Sequence, residues 1–99
     1  MVTAIVLIRM DKGRIHDAAQ ELAALRGISE VYSVAGEYDL VAVLRVERNE
    51  QVHDIVTGNI AGMEGISETE TLIAFRTFSR HDLEKMFSIG FEEGNPGSS

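Results

Sequence analysis

Gly27-Ile28-Ser29-Glu30-Val31 recurs 38 residues further on as Gly65-Ile66-Ser67-Glu68-Thr69. Both copies stand at the same kind of junction. A stretch with apolar residues at helical spacing precedes each one, and a run rich in β-branched residues follows. Before the first copy, Ile15, Ala18, Ala19, Leu22 and Leu25 form one stripe, while His16, Asp17, Gln20 and Glu21 point away from it. Before the second, Val52, Ile55, Val56 and Ile60 repeat that spacing, with Asn49 as the expected N-cap and Gly58 weakening the last turn. Gly27 is expected at the C′ position of the first helix, where a left-handed conformation costs glycine little.

The strands follow by the same reading. Thr3 to Met10 is β-branched and too short for a convincing helix, and Asp11-Lys12-Gly13 breaks it. Ser29 to Ala35, Leu40 to Val46 and Ser67 to Phe78 complete a β-α-β-β-α-β order. Two βαβ halves with matching junctions specify a ferredoxin-like α+β fold with a four-stranded antiparallel sheet. Ser79-Arg80-His81-Asp82 has the form of a capping box and opens a short C-terminal helix, with Leu83, Met86 and Phe87 on one side. Residues 1–91 are expected to be one domain. Residues 92–99, with two acidic residues, glycine, the only proline and two serines, read as a disordered tail.

Two helices cover one face of such a sheet. If the other face met water, every strand would alternate apolar and polar residues. The central strands do not. The first sets Val6 and Ile8 against Ile5 and Leu7, and the third sets Leu40, Ala42, Leu44 and Val46 against Val41 and Val43. The fourth sets Ile73 and Phe75 against Leu72, Ala74 and Phe78. The C-terminal segment, with Leu83, Met86, Phe87, Ile89 and Phe91, is too short to cover four strands. The expected cover is the same face of a second copy, giving a dimeric α/β barrel that buries roughly 800 Å² per subunit. Which face meets the helices is not legible from two sets that are equally apolar.

Composition narrows the function. The chain has 99 residues, 44% of them hydrophobic and 25% charged, which is ordinary for a single globular domain. No apolar run approaches the ~18 residues of a membrane span, and no basic segment or cleavage site marks a signal peptide. There is no cysteine, hence neither a disulfide framework nor a thiolate site. A cytoplasmic location is the expectation. The formal net charge is −7, with nine basic residues scattered among sixteen acidic ones. Direct nucleic-acid binding normally needs a basic footprint, so it is not expected of this chain alone.

Few residues offer chemistry. His16, His53 and His81 have no second histidine or cysteine at ligand spacing, so no metal site or cofactor is expected. No nucleophile elbow, phosphate loop or zinc-protease motif occurs. Glu68 and Glu70 share one strand face, which reads as a solvated edge more readily than as an acid–base pair. The informative segment is Val34-Ala35-Gly36-Glu37-Tyr38-Asp39-Leu40. It has two readings. One is a hairpin turn, with glycine at positive φ and an aspartate bonding turn amides. The other is an amino-acid site, with backbone N–H groups as a nest for a carboxylate, Asp39 for an ammonium and Tyr38 as a wall.

These residues also carry a resemblance. Val34, Gly36, Tyr38, Asp39 and Leu40, followed at the right distance by Gly65, Ile66, Thr69 and Thr71, are similar to the effector-binding (RAM) domain of Lrp/AsnC regulators, over roughly residues 3 to 80. The resemblance implies a sheet-to-sheet homo-oligomer whose dimers join into an octamer-like ring, with a small amino-acid ligand bound between dimers. It also implies that Gly36, Glu37, Tyr38 and Asp39 line the pocket and that Thr69 and Thr71 contribute hydroxyls. Regulators of this kind place a helix-turn-helix domain first. Here strand one starts at Thr3, so the expectation is a stand-alone sensor that is not an enzyme and acts through ligand-dependent assembly or through full-length relatives. The rival readings are a small ferredoxin-like barrel enzyme, of the cofactor-free monooxygenase or isomerase type, and a purely structural oligomerisation module.

Overall fold

The computed structural model describes residues 1–80. Strand β1 (Val2–Met10) leads through a 3-10 turn (Lys12–Arg14) into helix α1 (Ile15–Ala23). Strands β2 (Ile28–Ser33) and β3 (Leu40–Val46) form the hairpin. Helix α2 (Asn49–Ile55) continues as a π turn (Val56–Ile60), and β4 (Ile66–Ile73) closes the sheet. The order across the sheet is β2-β3-β1-β4, with every neighbouring pair antiparallel. This is the ferredoxin-like α+β arrangement that the order of elements specifies.

The repeated junction is conformational as well as sequential. Gly27 and Gly65 adopt nearly the same backbone, with φ of 95° and 93°. A side chain at Gly27 would meet the Ile55 Cδ1 methyl at 2.7 Å, and one at Gly65 the Arg14 Cδ at 2.6 Å. Each junction therefore needs glycine for its φ and lies close against a neighbour. Helix α1 is capped at Ala24, so Gly27 lies beyond the C′ position expected for it and instead turns the chain into β2.

Three further boundaries differ from expectation. Helix α2 is capped by Arg48, not Asn49. The Gln51 Oε1 accepts from the amides of Glu47 and Arg48, each at 2.9 Å, which is the reach-back of a capping box from the N3 position. Strand β2 stops at Ser33, and Val34 N closes the hairpin just beyond it by donating to the Asp39 carbonyl at 3.0 Å. Strand β4 stops at Ile73, five residues before Phe78. It pairs with β1 alone, and with Ala4 opposite Ile73 that partner ends two residues further on, at Val2. The expected C-terminal helix carrying Leu83, Met86 and Phe87, and the expected tail, lie outside the described residues.

The core sits between the helices and one sheet face. Ala4, Val6 and Ile8 of β1 and Leu40, Ala42 and Leu44 of β3 are fully buried against Leu22, Val52 and Ile60. The helices therefore take the even-numbered positions of β1 and β3. The odd positions form an open face, with Ile5, Leu7, Val41 and Val43 half-buried and Leu72 44% exposed. No described helix is long and apolar enough to cross a membrane.

Candidate functional site

The β2–β3 hairpin tip projects from the sheet, and the sequence around β1 builds its support. Gly36 takes a φ of 137°, with open space where a side chain would stand. The amides of Gly36, Glu37 and Tyr38 take no protein acceptor among the described residues. Their free N–H groups are what an anion-binding nest requires.

Two cations from the β1 end flank the tip. The Arg9 guanidinium donates to the Glu37 carbonyl and to its carboxylate, each at 3.1 Å, and pairs with Glu68 at 3.1 Å on β4. It also lies 5.2 Å from the centre of the Tyr38 ring. The Tyr38 hydroxyl donates to Glu70 at 2.8 Å, and that bond raises its pKa above the ordinary tyrosine value. Lys12 forms an ion pair with Asp39.

The sequence leaves Asp39 open between a turn residue and a partner for a ligand ammonium, and its side chain is only 5% exposed. Its carboxylate accepts from the buried Met10 amide at 2.9 Å and holds Lys12 on the other oxygen. Its own amide donates to the Ile8 carbonyl at 2.8 Å. The Lys12 ammonium first, and then the Met10 N–H, keep its pKa below the usual aspartate value. Asp39 therefore fastens the hairpin to β1. Glu37, paired with Arg9 but with its side chain 76% exposed, is the more accessible carboxylate at the tip.

The structure separates the threonines from the hairpin within one protomer. Thr69 lies opposite Ile8 and Thr71 opposite Val6, on the side of the sheet that the helices cover. Glu68 and Glu70 take the other side, where they meet Arg9 and Tyr38. Thr71 instead borders a groove of about 330 Å³ between α2 and β4. Val52, Val56 and Ile73 form its walls, and Asn49, His53 and Thr57 complete its rim.

Sequence reasoning missed Arg9 and Lys12 as partners of the hairpin. The signal is present in one of them, since Arg9 is a lone charge in an otherwise apolar strand. Lys12 reads as part of a strand break, and only the pairing of β1 with β3 brings it to Asp39. His16 and His53 are exposed on helices, and His81 lies outside the described residues. Among the described residues, no group of three His, Cys, Asp or Glu is placed to share a metal ion.

Comparison with known proteins follows the same lines. Residues 3–83 match the family described as the Lrp/AsnC ligand binding domain. A protein of Thermus thermophilus is 46% identical, with a TM-score of 0.76 over 81% of this chain and 100% of its own. The feast or famine regulatory protein of M. tuberculosis, solved in complex with L-methionine, is 28% identical, with a TM-score of 0.67 over 80% of this chain and 53% of its own. An uncharacterised HTH-type transcriptional regulator of Pyrococcus furiosus is 35% identical over 78 residues, 76% of this chain and 52% of the regulator. The chain spans about half the length of the curated relatives it matches.

Proposed function

The chain belongs to the Lrp/AsnC ligand binding domain family, and from that premise we propose that it is an oligomeric, amino-acid-sensing module of transcription regulation rather than an enzyme. One observation carries the reading. The hairpin tip presents three unpaired amides beside an exposed carboxylate, and Arg9 and Lys12 tie it to the β1 end. The amides of Gly36, Glu37 and Tyr38 suit a ligand carboxylate, and Glu37 suits an ammonium. Asp39 fixes the geometry, and the Tyr38 ring forms a wall. A relative 28% identical binds L-methionine.

Assembly completes the site. The open sheet face has an apolar centre of Ile5, Leu7, Val41, Val43 and Leu72, with charged pairs at its edge: Arg45 with Glu30 at 3.4 Å, and Arg9 with Glu68. An apolar centre within a polar rim is the anatomy of a protein interface. A second copy laid on this face forms the dimer. Because Thr69 and Thr71 lie away from the hairpin of their own protomer, they serve the same ligand only if the hairpin comes from another subunit. A contact of that head-to-tail kind forms a ring when its rotation closes. This favours the ring of dimers, with the ligand between them.

Regulation then passes through partners. Relatives twice the length of this domain are named HTH-type regulators, so mixed assembly with such chains is the route to DNA. With a net charge of −7, this domain by itself gives no site-specific complex in a mobility-shift assay at physiological salt. The deciding experiment is a thermal-shift screen of the twenty amino acids followed by calorimetry. A selective response supports sensing. Silence across the whole set favours a scaffold, and turnover of an added substrate reinstates the enzyme.

A further inference from the structure

Two helices seal the middle of the sheet and leave one edge of the same side short of cover. On β1 and β3 the helix-facing residues Ala4, Val6, Ile8, Leu40, Ala42 and Leu44 have no exposed surface. On β4, which lies at the edge beyond β1, Ile73 faces the same way and keeps 43% of its surface in solvent. The α2–β4 groove, about 330 Å³, is that gap. Its walls are Val52, Val56 and Ile73, and among the described residues no Asp, Glu, Lys or Arg lines it. An uncharged lining, on a chain that is one-quarter charged, suits an apolar occupant.

The chain itself carries one. Leu83, Met86 and Phe87 stand at i, i+3 and i+4, the spacing of one helix stripe, and Asp82, Glu84 and Lys85 fall off it. Ser79 and Asp82 mark the start of that helix by the capping-box pattern, and Gly90 suits its end. Residues 74–78 connect β4 to Ser79, a length usual for a strand-to-helix connection, roughly 2–6 residues. Connections that short lay the helix back beside the strand it leaves. From Leu83 to Phe87 a helix rises about 6 Å, and from Thr71 to Ile73 a strand runs about 7 Å. The stripe, too short for the open face of four strands, therefore matches this groove in length. The family match ends at residue 83, so the rest of the segment is an addition to the shared domain.

We infer that the α2–β4 groove is the docking site of the chain's own C-terminal segment, whose stripe of Leu83, Met86 and Phe87 covers Val56 and Ile73 in the same protomer. The gain is the water removed from both apolar surfaces, in proportion to the area covered. Docked there, the segment also covers Thr71 at the groove's border. On the amino-acid-sensing reading, a ligand that reaches Thr71 displaces the segment first. The docking itself stands apart from that reading.

The chain has no cysteine, so a cysteine pair reports proximity without background. The full chain with Thr57→Cys on the groove rim and Met86→Cys on the stripe is oxidised mildly, beside a control with Leu7→Cys and Met86→Cys that probes the open sheet face. The expected result is a disulfide within one chain for the groove pair, at a yield unchanged by dilution, and little for the control. A disulfide between two chains assigns the segment to a second copy, and preferential closing of the Leu7 pair assigns it to the open face. Either result overturns the proposal, as does a folded groove-pair protein that forms no disulfide. If the cysteines disturb folding, a double-mutant cycle on melting temperature reads the same contact. Ile73→Ala and Phe87→Ala should each lower it by about 5 °C, and together by less than the sum. Additive losses, or a Phe87→Ala protein that melts like the parent, overturn the docking.

Discussion

On one face of the sheet, Ala4, Val6, Ile8 and Met10 of β1 are no more than 5% exposed, sealed under two helices. On the other face the alternate residues of the same strand, Ile5 and Leu7, are only half-buried, and Tyr32 and Leu72 on the flanking strands are 50% and 44% exposed. Both faces are built from the same residue types. What differs is the cover: the chain supplies it for one face from its own helices and leaves the other open among the described residues. An apolar strand face reports that something will cover it but is silent on what.

The largest effect expected from perturbing this contrast is on the sealed face. Leu44→Asp buries a charge with no counter-ion at a fully buried position. A buried, uncompensated charge costs about 3–5 kcal/mol, a large part of a small domain's stability. Far-UV circular dichroism should show an unfolded chain. The same substitution at Leu7, on the open face, should separate subunits and leave a folded protomer. Light scattering should report a mass near 10.9 kDa, with the dissociation constant raised about a hundredfold or more. Two results break the comparison: a Leu7→Asp protein that unfolds as Leu44→Asp does, and one that keeps the parent's assembly.

Asp39 lies where the hairpin is bonded to β1 and should give an intermediate effect. Its lowered pKa means that its charged form stabilises the fold at pH values above the ordinary aspartate value, about 3.9. That contribution is lost as pH falls through the lowered folded-state value. Asp39→Asn should therefore melt about 5 °C below the parent at pH 7, with the gap closing as pH falls below the ordinary aspartate range. A gap that stays constant through that fall would mean that the charge on Lys12 is not what Asp39 serves.

The smallest effect belongs to the rim. Arg45 and Glu30 are each more than 40% exposed in their ion pair, and exposed pairs contribute little. Arg45→Ala should change the melting temperature by less than about 2 °C. A larger fall that disappears on dilution would place the pair inside the dimer contact and sharpen the boundary of the open face.

The sequence alone determined the order of elements, the repeated glycine junctions and the presence of a second apolar face, because these depend on periodicity and on backbone freedom within short stretches. It also brought Gly36 to Asp39 to attention, through their motif. Only the tertiary structure decided which strand positions meet the helices, since two equally apolar sets look alike until the chain closes. It also decided that β4 ends with its partner strand, that Lys12 and the Met10 amide take up the Asp39 carboxylate, and that Thr71 belongs to a groove apart from the hairpin. Each of these depends on contacts between residues far apart in sequence, such as Lys12 and Asp39 or Val6 and Thr71. No local pattern encodes them, because the geometry that creates them exists only once the sheet has paired.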